Sequence, residues 1–104
     1  MEVKKLQKWC YELEKSTGER SDMELLGEFS QEFGEAVRSI LIHHGIKVRR
    51  QEDNIGKECF DLLYNIFTIA SKYDIDLESE FSKAIEKYEG RFEKDIWAKI
   101  DTEK

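Results

Sequence analysis

Residues 21–45 read SDMELLGEFSQEFGEAVRSILIHHG. Ser21 followed by Glu24 is a capping box, in which each residue's side chain satisfies the other's backbone N–H. Gly45 supplies a left-handed cap at the far end. Between these signals Leu26, Phe29, Phe33, Val37 and Ile40 recur at helical spacing. The stretch predicts one long helix, from Ser21 to about His44. Inside it, Gly34 costs about 1 kcal/mol relative to alanine. Glu32 and Glu35, one turn apart, repel each other modestly. Two penalties in one turn call for a reason.

Working outward, Val3, Leu6, Cys10 and Leu13 predict a first helix over 2–16, with Gly18 just past its end. Residues 46–53, IKVRRQED, form a charged connection. A third helix is expected over 54–73. Asp76 is the N-cap of a fourth that reaches about Glu89, before Gly90. Phe92, Ile96, Trp97 and Ile100 mark a short further helical segment within 91–100. No segment alternates as a strand does. The expected fold is all-α: a bundle of four main helices with a short extra C-terminal helix, forming one domain over 1–104.

Hydrophobic residues make up 39% of the 104 and charged residues 38%, which is polar for a globular domain. Seventeen basic against 23 acidic side chains give a net charge of -6. That balance disfavours sequence-independent binding of a nucleic-acid polymer, which requires a basic footprint. A phosphorylated small molecule remains compatible if a metal mediates. No apolar run approaches the length of a membrane span, and no signal-peptide pattern is present, so a cytoplasmic protein is expected. Cys10 and Cys59 lack metal-ligand spacing and are expected to be reduced thiols in the core.

At about 100° per residue, Glu28, Glu32, Glu35 and Ser39 line the edge of the apolar stripe of the second helix. The third helix carries its own stripe of Ile55, Cys59, Leu62, Leu63, Ile66 and Ala70, edged by Glu58, Asp61 and Asn65. The two helices match at a constant offset of 26 positions, pairing Glu32 with Glu58, Glu35 with Asp61 and Ser39 with Asn65. If the helices pack side by side, four carboxylates converge. Crowded carboxylates raise one another's pKa and destabilise the fold unless a cation sits among them. Solvated helix edges would look similar one pair at a time. Two pairs at matched angles favour a hard divalent cation, Mg²⁺, which prefers oxygen ligands and bridges to phosphates. Histidine pairs of the kind that serve di-iron bundles are missing from both motifs.

Glu32-Phe33-Gly34-Glu35, followed after 22 residues by Glu58-Cys59-Phe60-Asp61, resembles the ExxE…ExxD signature of MazG-like nucleoside triphosphate pyrophosphohydrolases, within the all-α NTP pyrophosphatase superfamily. The ECFDLLYNIFTIASKYDIDL run from Glu58 to Leu77, and Lys83 to Arg91, are similar to the segments that follow in that family. The resemblance spans roughly residues 22–92. Gln31 and Tyr88 depart from the pattern, where glutamate and asparagine are common; both changes bear on substrate preference.

The resemblance implies hydrolysis of a nucleoside triphosphate, ribo- or deoxyribo-, to the monophosphate and pyrophosphate, as nucleotide-pool house-cleaning. It implies Mg²⁺, with Mn²⁺ as a substitute, held by Glu32, Glu35, Glu58 and Asp61. Glu35 is the expected general base. Asn65 is expected to contact substrate, and Lys83, Lys87 and Arg91 to bind the distal phosphates. Arg38, Lys47, Arg49, Arg50 and Lys57 ring the charged connection, a candidate lid. Trp9, His43 and His44 are expected to be structural or surface residues. The family assembles as dimers or tetramers, so a homodimer or homotetramer is expected, with Phe81, Tyr88, Phe92 and Trp97 at its interface. The alternative is a non-catalytic relative that binds nucleotide or serves as a scaffold.

Overall fold

The computed structural model describes residues 2–45 and 54–103. The connection 46–53, and with it the lid reading for Lys47, Arg49 and Arg50, lies outside them. Five helices follow in order: α1 (Val3–Thr17), α2 (Asp22–His43), α3 (Ile55–Lys72), α4 (Leu77–Phe92) and α5 (Ile96–Asp101). No strand occurs among the described residues.

The caps explain most of the boundaries. Glu24 N donates to Ser21 Oγ (3.2 Å) and Ser21 N donates to Glu24 Oε1 (3.0 Å), closing the capping box. Asn54 Oδ1 accepts from Lys57 N, and Asp76 Oδ1 from Ser79 N. Gly18 and Gly45 take the positive φ that ends a helix cheaply. The expected stop at Gly90 fails. α4 continues to Phe92 and is ended by Glu93 in the left-handed region, with φ of 53°. Lys94 N then bonds back to Glu89 O at 2.9 Å. A lone glycine lacks the power to stop a helix when the following residues keep its hydrogen-bond ladder intact. Phe92 thus belongs to α4, and α5 begins only at Ile96, where Glu89 Oε2 accepts from the backbone N–H groups of Ile96 and Trp97.

α3 is central: it packs against both α1 and α2, while α4 leans on α1. Gln7, buried on α1, holds the α3–α4 turn. Its Nε2 donates to Ser71 Oγ and to the carbonyl of Ile75, and its Oε1 accepts from Leu77 N. The radius of gyration is 16.8 Å, against roughly 13 Å for a compact domain of about this size.

The burial pattern reverses one sequence expectation. The apolar stripes of α2 and α3 are not the core of the single chain. Leu26, Phe33, Val37, Ile40, Leu63 and Ile66 are all exposed, as is Cys59. On α1, Leu6 and Leu13 are exposed too, and only Cys10 of that stripe is buried. The interior of the α1–α2–α3 contact is instead built mainly from the neighbouring stripe: Glu14, Ser39, Glu58, Asn65 and Thr68, with Leu25 and Ala36; of the apolar stripe predicted for α3, only Ala70 is buried. A helix can bury two adjacent stripes against different partners. Within the chain the polar edges meet, and the greasier stripes face outward. Gly34 faces outward with them: a Cβ built there meets no atom within 4 Å. Of the two neighbours whose close approach would call for a glycine there, a helix of the same chain or a second subunit, the first is absent among the described residues.

Candidate functional site

Side-by-side packing of α2 and α3 brings the matched edges together. Glu32, Glu58 and Asp61 each place one carboxylate oxygen so that the three lie within 4.8 Å of one another. Glu58 is 5% exposed; Glu32, Glu35 and Asp61 are half-buried. Glu35 stands beside Glu58, and its Oε1 accepts from Gln31 Nε2 at 3.2 Å. Lys57 Nζ lies 3.2 Å from Asp61 Oδ2 at the exposed rim.

The electrostatics carry the cost of this crowding. Burial, then the charges of Glu35, Asp61 and Glu58, push the Glu32 carboxyl up to about 7. Burial, then the neighbouring Glu35 and Asp61, push Glu58 up as well, against the lowering pull of Lys57. Among the described residues, Glu32 Oε2 and Glu58 Oε2 are buried without a hydrogen-bond partner. Such orphaned acceptors cost free energy unless something donates to or ligates them. Hard oxygen donors at close quarters, two of them unsatisfied, fit a divalent cation of the Mg²⁺ or Mn²⁺ type.

A concavity of about 270 Å³ opens beside the acids, lined by Leu13, Arg20, Glu32, Phe60, Asp61, Tyr64 and Asn65. Asn65 is 3% exposed, and its Oδ1 has no partner among the described residues. Among the predicted substrate residues, only Asn65 shares this hollow with the carboxylates. Lys83, Lys87 and Arg91 lie on α4, exposed. Lys83 pairs with Glu80 at 3.6 Å, while Lys87 and Arg91 lie near the Tyr88 ring. Trp9 is exposed on α1, and His43 and His44 are exposed at the end of α2, their rings in edge contact.

Arg20 and Glu14 escaped the reading of the sequence. Arg20 donates through Nε and its backbone N to Glu14 Oε2 and through Nη2 to Glu14 Oε1, each at 2.9 Å. Its Nη1 donates to Glu28. Tyr64 Oη donates to Glu14 Oε1 at 3.3 Å, and Lys72 Nζ donates to the Arg20 carbonyl. Burial alone would raise the Glu14 carboxyl. The side-chain and backbone hydrogen bonds from Arg20 outweigh it and hold Glu14 below the ordinary carboxylate range. One signal was available: Gln7, Cys10 and Glu14 share one face of α1, and a face with polar groups either side of a cysteine can be buried.

The model of the MazG nucleotide pyrophosphohydrolase domain matches residues 18–95, a span that takes in both acid pairs and Arg20. The chain belongs to that family of helical nucleotide pyrophosphohydrolase domains. No curated protein matches it, and no solved structure does.

Proposed function

We propose that the protein hydrolyses a nucleoside triphosphate to the monophosphate and pyrophosphate, with a divalent cation, Mg²⁺ by preference, held by Glu32, Glu58 and Asp61 and flanked by Glu35. The observation that carries the reading is the convergence of three carboxylate oxygens within 4.8 Å, two of the side chains having a buried unpartnered oxygen, on the acid pairs of a MazG-family chain. Bound there, such a cation neutralises phosphate oxygens and offsets the repulsion among the acids.

Glu35 sits outside the tight trio, turned by Gln31. In this reading it accepts the proton of the attacking water. The water oxygen bonds to phosphorus, the phosphoanhydride P–O bond breaks, and pyrophosphate leaves. Asn65 positions the substrate at the edge of the hollow. A distal-phosphate role for Lys83, Lys87 and Arg91 requires a second copy to bring them in, because α4 leans on α1 and none of the three lines the hollow.

The second copy has its own support. Phe33, Val37, Ile40, Leu63 and Ile66 form an exposed apolar face across α2 and α3, the kind of surface that marks an interface. A homodimer through this face, or a tetramer that also uses Phe81, Tyr88, Phe92 and Trp97, covers it. None of the helices is long and apolar enough to cross a membrane among the described residues, and a nucleotide substrate places the work inside the cell.

The test is pyrophosphate release from a panel of NTPs and dNTPs, with Mg²⁺ or with EDTA. Cation-dependent release from at least one nucleotide is expected. No release from any of them would leave a nucleotide-binding or scaffolding protein and overturn the enzymatic reading.

A further inference from the structure

The hollow beside the acids is also lined by side chains that the hydrolytic reading leaves unused. Its volume, about 270 Å³, falls just below the usual range of ligand pockets, roughly 300–1,000 Å³. That is room for one flat ring system rather than a whole nucleotide. Phe60 and Tyr64 present aromatic surface there, their centroids 6.1 Å apart and their planes inclined by 44°. Stacking on such rings is how proteins commonly hold an unpaired base.

Arg20 lines the same hollow. A guanidinium carries five N–H donors and no acceptor. One each on Nε, Nη1 and Nη2 goes to Glu14 and Glu28, which leaves two N–H groups without a partner among the described residues. The side chain is 18% exposed, its buried partner Glu14 only 4%. Its Cζ lies 5.9 Å from the centroid of the Tyr64 ring. Arg20 is thus a fixed donor, held by a buried carboxylate, at the edge of a hollow with aromatic surface. Asn65 lines the same hollow, and its Oδ1 is a buried acceptor without a partner among the described residues.

We propose that Arg20 is a specificity-determining residue that selects bases carrying a ring carbonyl beside a ring N–H: uracil, thymine, guanine and hypoxanthine. The carbonyl accepts from the spare Arg20 N–H groups, and the adjacent ring N–H donates to Asn65 Oδ1. Cytosine and adenine present an exocyclic amino group where the carbonyl would be, setting donor against donor. A site built to hydrogen-bond one edge rejects the reversed edge because its own buried groups are then left unpaired. The inference rests on the hydrolase reading for its kinetic arm only.

The experiment has two arms. The first compares kcat/KM for UTP and GTP with that for CTP and ATP, in the wild type and in Arg20→Lys, which keeps the charge opposite Glu14 but loses the planar fork. A preference of at least roughly tenfold for the carbonyl bases is expected in the wild type, falling toward unity in the variant. The second arm follows the Arg20 Nε–H resonance of the wild type during titration with uridine and with cytidine, without metal. Uridine is expected to shift it at lower concentration. This arm needs neither turnover nor a folded variant. Discrimination between the nucleosides without any pyrophosphate release would keep the base assignment and remove the hydrolase. Release without a carbonyl preference in the wild type, or a preference unchanged in a folded Arg20→Lys, would overturn the base assignment and keep the hydrolase.

Discussion

Glu58→Gln tests the acid cluster without touching its shape. Glutamine matches glutamate in volume but removes one charge from a trio whose oxygens lie within 4.8 Å. At an effective dielectric of about 20, two unit charges at that separation repel by about 3 kcal/mol. The wild type evades part of this by protonation, since Glu32 titrates at about 7 instead of 4.5. The sign follows from linkage. Glu32 binds its proton more tightly folded than unfolded, so the cation-free protein loses stability as pH rises from about 4.5 to about 7. That loss is on the order of 3 kcal/mol. In EDTA at pH 8, where the charges are fully developed, Glu58→Gln is expected to be more stable than the wild type by about 1–3 kcal/mol. For a domain this size each kcal/mol corresponds to roughly 4–8 °C in Tm. At pH 5 the difference should shrink. Adding Mg²⁺ at about 100 times its Kd should then stabilise the wild type by about 2.7 kcal/mol and the variant by much less. Thermal melts by circular dichroism, at two pH values with and without Mg²⁺, measure all four terms. A variant less stable than wild type in EDTA at pH 8, or one with an undiminished Mg²⁺ shift, would refute the crowding argument.

Further outcomes are expected. Glu35→Gln should lower kcat by at least about 100-fold while the Mg²⁺-induced shift in Tm persists, because Glu35 lies outside the tight trio; steady-state pyrophosphate release beside thermal melts checks both halves. Phe33→Glu or Val37→Glu places a charge on the exposed apolar face of α2 and should convert the oligomer to monomer with its helix content intact, read by sedimentation and circular dichroism. A wild type already monomeric at micromolar concentration would remove the interface. Glu14→Gln breaks the buried pair with Arg20 and should cost about 3 kcal/mol in urea unfolding. Because Glu14 titrates below its ordinary value when folded, its contribution is present above pH 4.5 and lost as pH falls through the folded value. The variant's deficit should therefore shrink in acid.

The helices were legible because their ends carry chemistry. Ser21, Asn54 and Asp76 each cap a helix with a side-chain oxygen, and those starts fall where the sequence put them. The convergence of Glu32, Glu58 and Asp61 was legible too, because equal angular offsets on two adjacent helices leave little freedom in where the side chains meet. What stayed hidden was the choice between two adjacent stripes. Periodicity locates an apolar face, and it is silent on whether that face meets the same chain or another. Leu63 and Asn65 sit on neighbouring stripes of α3, and packing buries the asparagine. The Glu14–Arg20–Tyr64 contact joins residues up to 50 positions apart, and an ion pair across a loop leaves no spacing rule to find. The end of α4 was misplaced because Gly90 has the composition of a stop without the backbone conformation of one; the turn is made at Glu93.

Among the described residues, the apolar side chains buried within one chain are Cys10, Leu25, Ala36 and Ala70. If the chain self-associates as proposed, so small a private core would draw stability from association, and the free energy of association depends on how many copies are present. Its midpoint of unfolding should rise with protein concentration, as that of a monomer does not. In a cell this makes expression level a folding variable: below a threshold supply, a falling copy number would deplete the folded fraction along with the total, and activity would drop more steeply than the amount of protein.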